Sequence, residues 1–429
     1  MRPGRTMSLP LRAGVVFAAA GMVLTGCGSA AGGDGGDEVT LTFTWWGGQT
    51  RHDNTEEMIA TFEEENPDIS VEAQYGEWNG YWDQLATQSA AQDTPDIMQM
   101  DLMYLREYID NGVLMPLEQV DTSEYADELL ATGRQDGEQY AMPVGQTALT
   151  FAVNPDVYEE AGLEVPDETS WTWDTLMEDA AAISEETEGY GLSGFFDIAG
   201  FEAWLRQQHG VNVFDGEGTV PWSAEDAVPY FEMMREFQDA GALPPAAEMV
   251  EQSGIAREQT LLATGNMGLS PVWDTMMIAL SSNEGVDLEP LMVPSMSGDA
   301  SESGLYYKAS MFYSVFSGTE HPEAAQKFVD FMVNDQVAGE IQRLERGIPG
   351  SAAVRDAVGS DLDGVEARVL DYSNRVSDMV SEAPPIPPQG YSVARDHLNR
   401  VEEQFFAGSL DAEQAAEQLH EEATAAIAG

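Results

Sequence analysis

Two indoles and two glycines stand side by side in the stretch WWGGQTRH, residues 45–52. Bare backbone next to large flat rings is not what core packing alone asks for. Gly47 and Gly48 allow the main chain to approach a ligand closely, and Trp46 offers a planar face for stacking. Residues of matching chemistry recur along the chain: Trp78 and Tyr81 in EWNGYW, read as a glycine-containing loop, Asp101 at the end of PDIMQMD, Gln146, Trp204, and the neighbouring Tyr307 and Lys308. Flat aromatic faces combined with carboxylates and amides suit a ring that has an apolar C–H face and a rim of hydroxyls, which is the chemistry of a sugar.

Each candidate also has a plainer role. Trp45 shares a strand face with Phe43 and belongs with the core, whereas Trp46 points the other way. Asp101 is placed to bind ligand or to cap the helix that follows it. Trp204 lies on a helical stripe, where core packing competes with ligand contact. Arg51 and His52 fall in the first turn of a helix, where positive charge opposes the helix dipole. They pair either with Asp53 or Glu56 or with an acidic ligand.

Other chemistries find little support. The chain has no GxSxG, HExxH, Walker-type or dinucleotide-binding motif. Its five histidines, at 52, 209, 321, 397 and 420, lack metal-ligand spacing, and DLDG at Asp361 is too short for a calcium loop. No cofactor is called for. A glycosidase needs only two carboxylates with no fixed spacing, so that activity stays open as a rival. The 429 residues carry 18 Lys and Arg against 76 Asp and Glu, a net charge of −58, with Lys308 and Lys327 the only lysines. Nucleic acid is excluded as a partner by so acidic a surface. Acids spread along the whole chain fit a protein kept soluble at high salt.

These residues need elements to hold them. Val39, Leu41, Phe43 and Trp45 alternate as a strand, and Ile69, Val71, Ala73 and Tyr75 repeat the pattern. Thr50 with Asp53 reads as a capping box for a helix that buries Met58, Ile59 and Phe62. PDIMQMD is a short buried strand. Leu102, Leu105, Tyr108 and Ile109 form a helical stripe that stops at Asn111 and Gly112. Pro143 and Gly145 interrupt an extended run, and a new strand follows from Ala148 to Val153. Thr172 caps a helix that turns Trp173, Leu176, Ala180 and Ile183 inward. Further helices carry Phe201 with Trp204, Tyr230 with Phe237, and Leu261 with Leu262. Strands are expected near Met267, from Leu288 to Val293, and from Tyr306 to Phe316. The C-terminus is helical apart from PPIPP at Pro384 to Pro388. This alternation predicts an α/β protein with mostly parallel sheets flanked by helices and about two domains.

The beginning of the chain reads as a leader. Arg2, Arg5 and Arg12 precede an apolar run from Ala13 to Leu24 that is too short to span a bilayer. It ends in LTGC, which matches the lipobox of bacterial lipoproteins and implies cleavage after Gly26 and lipidation of Cys27, the only cysteine. Residues 27–38 are a glycine-rich tether.

The order of these signals resembles the extracellular solute-binding proteins of carbohydrate ABC transporters, the group that includes the maltose-binding protein. The resemblance rests on WWGG after the first strand, YWDQLATQSAAQDTPDIMQMD, DNGVLMPL, YAMPVG followed by VNPDVYEEAGLEVPDETSWTWDTL, ATGNMGLSPVW and HPEAAQKFVDFMVNDQ. It implies a two-lobed periplasmic-binding-protein fold, with residues 39–146 and 310–355 in one lobe and 147–309 and 356–429 in the other. It also implies a ligand-stacking aromatic at Trp273 in SPVWD, an oligosaccharide ligand, and a membrane permease served by a separate ATPase. A monomer on the outer face of the cell membrane is expected. WWGGQTRH further resembles the opening of some binders of pectin-derived oligosaccharides, which makes uronate-containing ligands a second expectation.

Overall fold

The computed structural model describes residues 38–194 and 197–428. The leader, the tether and Cys27 lie outside the described residues. Eleven strands are present among those described: β1 (Val39–Trp46), β2 (Ile69–Gly76), β3 (Ile97–Met100), the hairpin of β4 (Arg134–Gln135) and β5 (Glu138–Gln139), β6 (Met142–Val153), β7 (Tyr190–Leu192), β8 (Met267–Trp273), β9 (Glu289–Leu291), β10 (Tyr307–Val315) and β11 (Ile348–Pro349). The main sheet runs β2-β1-β3-β10-β6-β8-β7, with β9 and β11 also bonded to β6. The fold class is α/β as expected. Pairing is parallel at both ends of the sheet, β1 with β2 and β3, and β7 with β8. It turns antiparallel in the middle, where β10 and β6 run between the ends.

Register shows what this arrangement leaves open. Counting across the sheet, Trp46 at the end of β1 stands level with Met100, Phe312 and Pro143. From the other side, Trp273 at the end of β8 pairs with Leu149 of β6. β1 and β8 lie on opposite sides of β6 and run in opposite directions, and along the strand axis they stop six β6 residues apart, about 20 Å at strand rise. Only β6, β10 and β11 continue across this gap. Glycines make that crossing compact: a Cβ on Gly145 would lie 2.8 Å from backbone atoms of Gly347 and Ile348.

Hydrophobic clusters follow the two ends. Leu41, Phe43 and Trp45 are fully buried with Ile97, Met100, Phe312 and Phe328. Leu149, Phe151, Trp173, Leu176, Ile183 and Leu269 form a second core. A third joins Phe201, Trp204, Tyr230 and Phe231 to Leu398 and Phe405 of the C-terminal helices, and a fourth gathers Ala152, Leu262, Met277, Leu344, Val354 and Val358. The C-terminal helices Gly364–Val376, Tyr391–Phe406 and Ala412–Ile427 are interrupted over 377–390, around PPIPP.

Most periodicities hold. The helix capped by Thr172 buries the four residues expected of it and forms a capping box with Thr175. Four local expectations change. α1 (Gln49–Glu65) starts at Gly48 without a side-chain cap, because Asp53 accepts from the Gln49 amide and makes no capping box with Thr50. EWNGYW is not a loop but the start of α2 (Trp78–Ala91). Met142–Val153 is one strand, since Pro143 lacks only a donor and the strand stays extended through it. Residues 261–265 form turns rather than a helix.

The Gly145 crossing yields a prediction. Gly145→Ala forces a methyl into backbone that has nowhere to move, so a cost of about 1–3 kcal/mol is expected. Urea unfolding measures it, and an unchanged midpoint would mean that the crossing relaxes freely.

Candidate functional site

Two groups of side chains flank the gap, and each is built by the strand end beneath it. At the end of β1, Trp46 is 8% exposed. It meets Trp78 edge-on at 5.0 Å between ring centroids and also touches Tyr81 and Trp82. Trp82 in turn stacks on Tyr104 at 3.9 Å. Trp78 is half-buried and closes the outside of this aromatic wall. Gln99 ties the wall together from below, its Nε2 donating to Trp46 O at 3.2 Å while its own carbonyl accepts from the Tyr81 hydroxyl at 2.5 Å.

Arg51 folds back over Gly47, so closely that a Cβ there would lie 2.4 Å from Arg51 Cδ. Its Nη1 donates to Trp46 O at 3.1 Å, and its Nε donates to both carboxylate oxygens of Glu345 at 2.9 Å. The partner is thus neither Asp53 nor Glu56, and Gly47 is bare to admit Arg51. Arg346 is completely buried beside this pair, donating to Gln99 Oε1 at 3.0 Å and Thr55 Oγ1 at 2.6 Å. Burial works against the Glu345 charge, but Arg51 and Arg346 outweigh it and hold the carboxyl below its usual range. His52 is buried under Tyr75 and accepts from the Trp45 indole at 3.0 Å, and burial is the chief cause that lowers its pKa.

The second group lies where β6 changes neighbours. Trp273 is half-buried, and the Lys308 ammonium sits over its ring at 4.6 Å from the centroid. Tyr306 meets the same indole edge-on at 6.3 Å. The Tyr307 hydroxyl donates to Ser373 O, and Gln146 Nε2 donates to Ser373 Oγ at 3.3 Å. Beneath them Asp274 is wholly buried. It accepts from Thr147 Oγ1 at 2.5 Å, the Ala148 amide at 3.2 Å and the Thr275 amide at 2.7 Å. Burial pushes its carboxyl up to about 7, against those three hydrogen bonds and Lys308, which favour the charge.

Not every candidate belongs here. Trp204 is 2% exposed within the third core, in near-parallel contact with Phe201 at 6.3 Å, so it is a packing residue. Tyr81 is 3% exposed with its hydroxyl turned into the protein, which removes it from the surface of the site. Asp101 caps α3 (Leu102–Asp110), accepting from the Met103 amide at 2.9 Å. Gly48 is open, since a Cβ there would meet nothing within 4 Å. Sequence reasoning missed Gln99, Glu345, Arg346 and Asp274. A lone amide inside the apolar IMQM and the acid after Trp273 were the available signals. Among the described residues no acidic or histidine cluster forms a metal site. A concavity of about 810 Å³ between Glu232, Arg235, Phe405 and Gln414 lies at helix ends and holds none of these residues.

Comparison with known proteins adds a family. Residues 48–339 match the family described as bacterial extracellular solute-binding protein. A putative ABC transporter periplasmic-binding protein, YcjN of Escherichia coli, is 24% identical over 340 residues, covering 74% of this chain and 75% of the relative. A periplasmic oligogalacturonide-binding protein from Yersinia enterocolitica, solved with saturated digalacturonic acid, superposes with a TM-score of 0.80 at 22% identity, covering 91% of this chain and 99% of that one. An ABC substrate-binding protein from Listeria monocytogenes solved with cycloalternan gives 0.77 at 19% identity, covering 91% and 100%.

The buried Asp274 predicts a pH dependence. A carboxyl raised in the folded state binds a proton that the unfolded chain releases between its ordinary value and about 7. Its contribution to stability is therefore full below pH 4 and is lost as pH rises to 7, by an amount on the order of a few kcal/mol. Melting curves of Asp274→Asn should lack that part of the decline between pH 4 and 7. A difference from wild type that stays constant with pH would refute the assignment.

Proposed function

This chain belongs to the bacterial extracellular solute-binding protein family, and on that premise we propose that it captures an oligosaccharide between two hinged lobes and delivers it to the permease of an ABC importer. The carrying observation is that β1 and β8, on opposite sides of β6, end about 20 Å apart along the strand axis, with an indole at each end. One lobe comprises 39–146 with 310–355, the other 147–309 with 356–429. Packing of Leu344, Val354 and Val358 with Ala152 and Leu262 favours a return boundary somewhat earlier than 355.

Trp273, Trp46 and Trp78 stack on sugar rings from opposite rims, and Gln146 and Lys308 supply polar contacts. Sugar touching both lobes makes extra contacts in the closed arrangement and so shifts the population towards it. Micromolar affinity, about −8 kcal/mol, would retain ligand and still release it. The ligands in the Yersinia and Listeria proteins support a saccharide, and the description of YcjN supports an ABC importer. Cleavage in LTGC and lipidation of Cys27 would hold the protein as a monomer outside the membrane. No helix among the described residues is long and apolar enough to cross it; on this reading the permease and the ATPase are other chains.

A thermal-shift screen over neutral and acidic oligosaccharides identifies the ligand, because one that binds only the native state raises its melting point. With that ligand, Trp273→Ala should weaken calorimetric affinity about tenfold or more while leaving the fold intact. Unaltered affinity would remove Trp273 from the site. Incubation with the same ligand should release no new reducing ends; turnover would instead establish a glycoside-acting enzyme.

A further inference from the structure

PPIPP, residues 384–388, interrupts the helical C-terminus without forming a regular element of its own. Four prolines in five residues fix φ at about −65° and withhold the donors that a helix or sheet needs, so the segment is stiff and extended. Both of its ends are fastened on the β8 side of the molecule. Before it, the Ser381 amide and hydroxyl donate to Leu305 O at 2.8 and 2.9 Å. Arg206, on the helix Asp197–His209, donates through Nη2 to Ser381 Oγ at 2.6 Å and Glu382 O at 2.7 Å, and its guanidinium lies over the Tyr306 ring. After it, Gly390 abuts the helix Ala412–Ile427 so tightly that a Cβ would lie 2.1 Å from Ala426 O. Pro385 and Pro388 rest on the turn at 216–218, where a Cβ on Gly216 would lie 3.7 Å from the first and one on Gly218 3.3 Å from the second.

The middle of the segment reaches the other way. Ile386 is half-buried and packs against the first core, the one that holds Trp46, Met100 and Leu105. The helix that follows, Tyr391–Phe406, buries Ala394, Leu398, Val401 and Phe405 in the third core, yet it also packs against α3. Tyr104 of α3, stacked on Trp82 in the aromatic wall, senses that contact: burial raises its hydroxyl pKa most, then Asp101 and then Asp396 of the facing helix, with Arg395 opposing. A segment tied down on the β8 side thus touches the β1 side at a place apart from the crossing strands β6, β10 and β11.

We infer that PPIPP is a closing strap: Ile386 docks on the first core in the closed arrangement, withdraws in the open one, and so sets the balance between them before a ligand adds contacts of its own. The inference rests on the two-lobed reading and holds whichever sugar is bound. Opening about β6 draws the two sides apart, and Ile386, carried along by Ser381 and Gly390, must then leave the first core. Apolar surface returned to water opposes that movement. A stiff strap has little conformational freedom to lose when it docks, so the burial is spent on closure rather than on ordering the segment. Ligand-free protein is then a mixture of open and closed forms, and apparent affinity scales with the closed fraction.

The test is small-angle X-ray scattering on the full chain without ligand, comparing wild type with Ile386→Asp, Ile386→Ala and Ile386→Leu. Ile386→Asp should give a larger radius of gyration and a longer maximum dimension. Ile386→Ala, which removes the contact without adding charge, should move both in the same direction by less, and Ile386→Leu should match wild type. Matched melting points verify that the variants fold. With saccharides found by the thermal-shift screen, Ile386→Asp should weaken binding by about tenfold or more, and by the same factor for each saccharide, because the closing equilibrium is common to all of them. Superimposable ligand-free profiles for wild type, Ile386→Asp and Ile386→Ala overturn the inference. A loss of affinity that varies from one saccharide to another overturns it in favour of Ile386 as a direct ligand contact. If no saccharide binds, the sugar reading fails, and the ligand-free profiles still decide the strap.

Discussion

A strand that passes from one set of neighbours to another must keep its backbone polar groups bonded at the point of change, because an unsatisfied buried N–H is costly. β6 meets this constraint at Thr147 to Leu149. On one side it leaves β10 and β11, and beyond it takes up β8 and β9. The Asp274 carboxylate bridges the change, accepting from the Thr147 hydroxyl and the Ala148 amide. The residue just before it is Trp273, and opposite Thr147 on β10 stands Lys308, whose ammonium rests on the Trp273 ring. One arrangement thus satisfies the backbone of the crossing and sets out the aromatic rim of the gap.

The opposite rim is organised by different means. There an aromatic wall of Trp46, Trp78 and Trp82 is braced by the buried Gln99 and Arg346 and sealed by the Arg51–Glu345 pair. Removing the Cβ at Gly47 admits Arg51 rather than the ligand, and the open glycine is Gly48. The first rim is a staple on a strand, whereas the second is a charged network holding a helix start. The two rims thus present different chemistry, an indole under an ammonium at one and an aromatic wall backed by a charged network at the other.

Much of the fold was legible because local period and burial agree. Leu41, Phe43 and Trp45 alternate and are fully buried, and the Thr172 cap opens a helix whose inward face is the one the spacing marks. The candidate site was legible only in part. Trp273, Lys308, Tyr307 and Gln146 do gather around the crossing. Trp204 could not be told from a ligand residue by spacing, since a helical stripe looks the same whether it faces a core or a cleft. The partner of Arg51 lies 294 residues away, beyond any helical or strand period. A helix start without a polar cap also gives no sequence signal, so Thr50 and Asp53 pointed to the wrong boundary.

The central claim is that two halves joined by β6, β10 and β11 close on a carbohydrate. Small-angle X-ray scattering, with and without a saccharide verified as saturating, tests it most directly. Closure predicts a smaller radius of gyration and a shorter maximum dimension in the bound state. Superimposable profiles at proven saturation would contradict it, because a sugar gripped from both rims must draw them together.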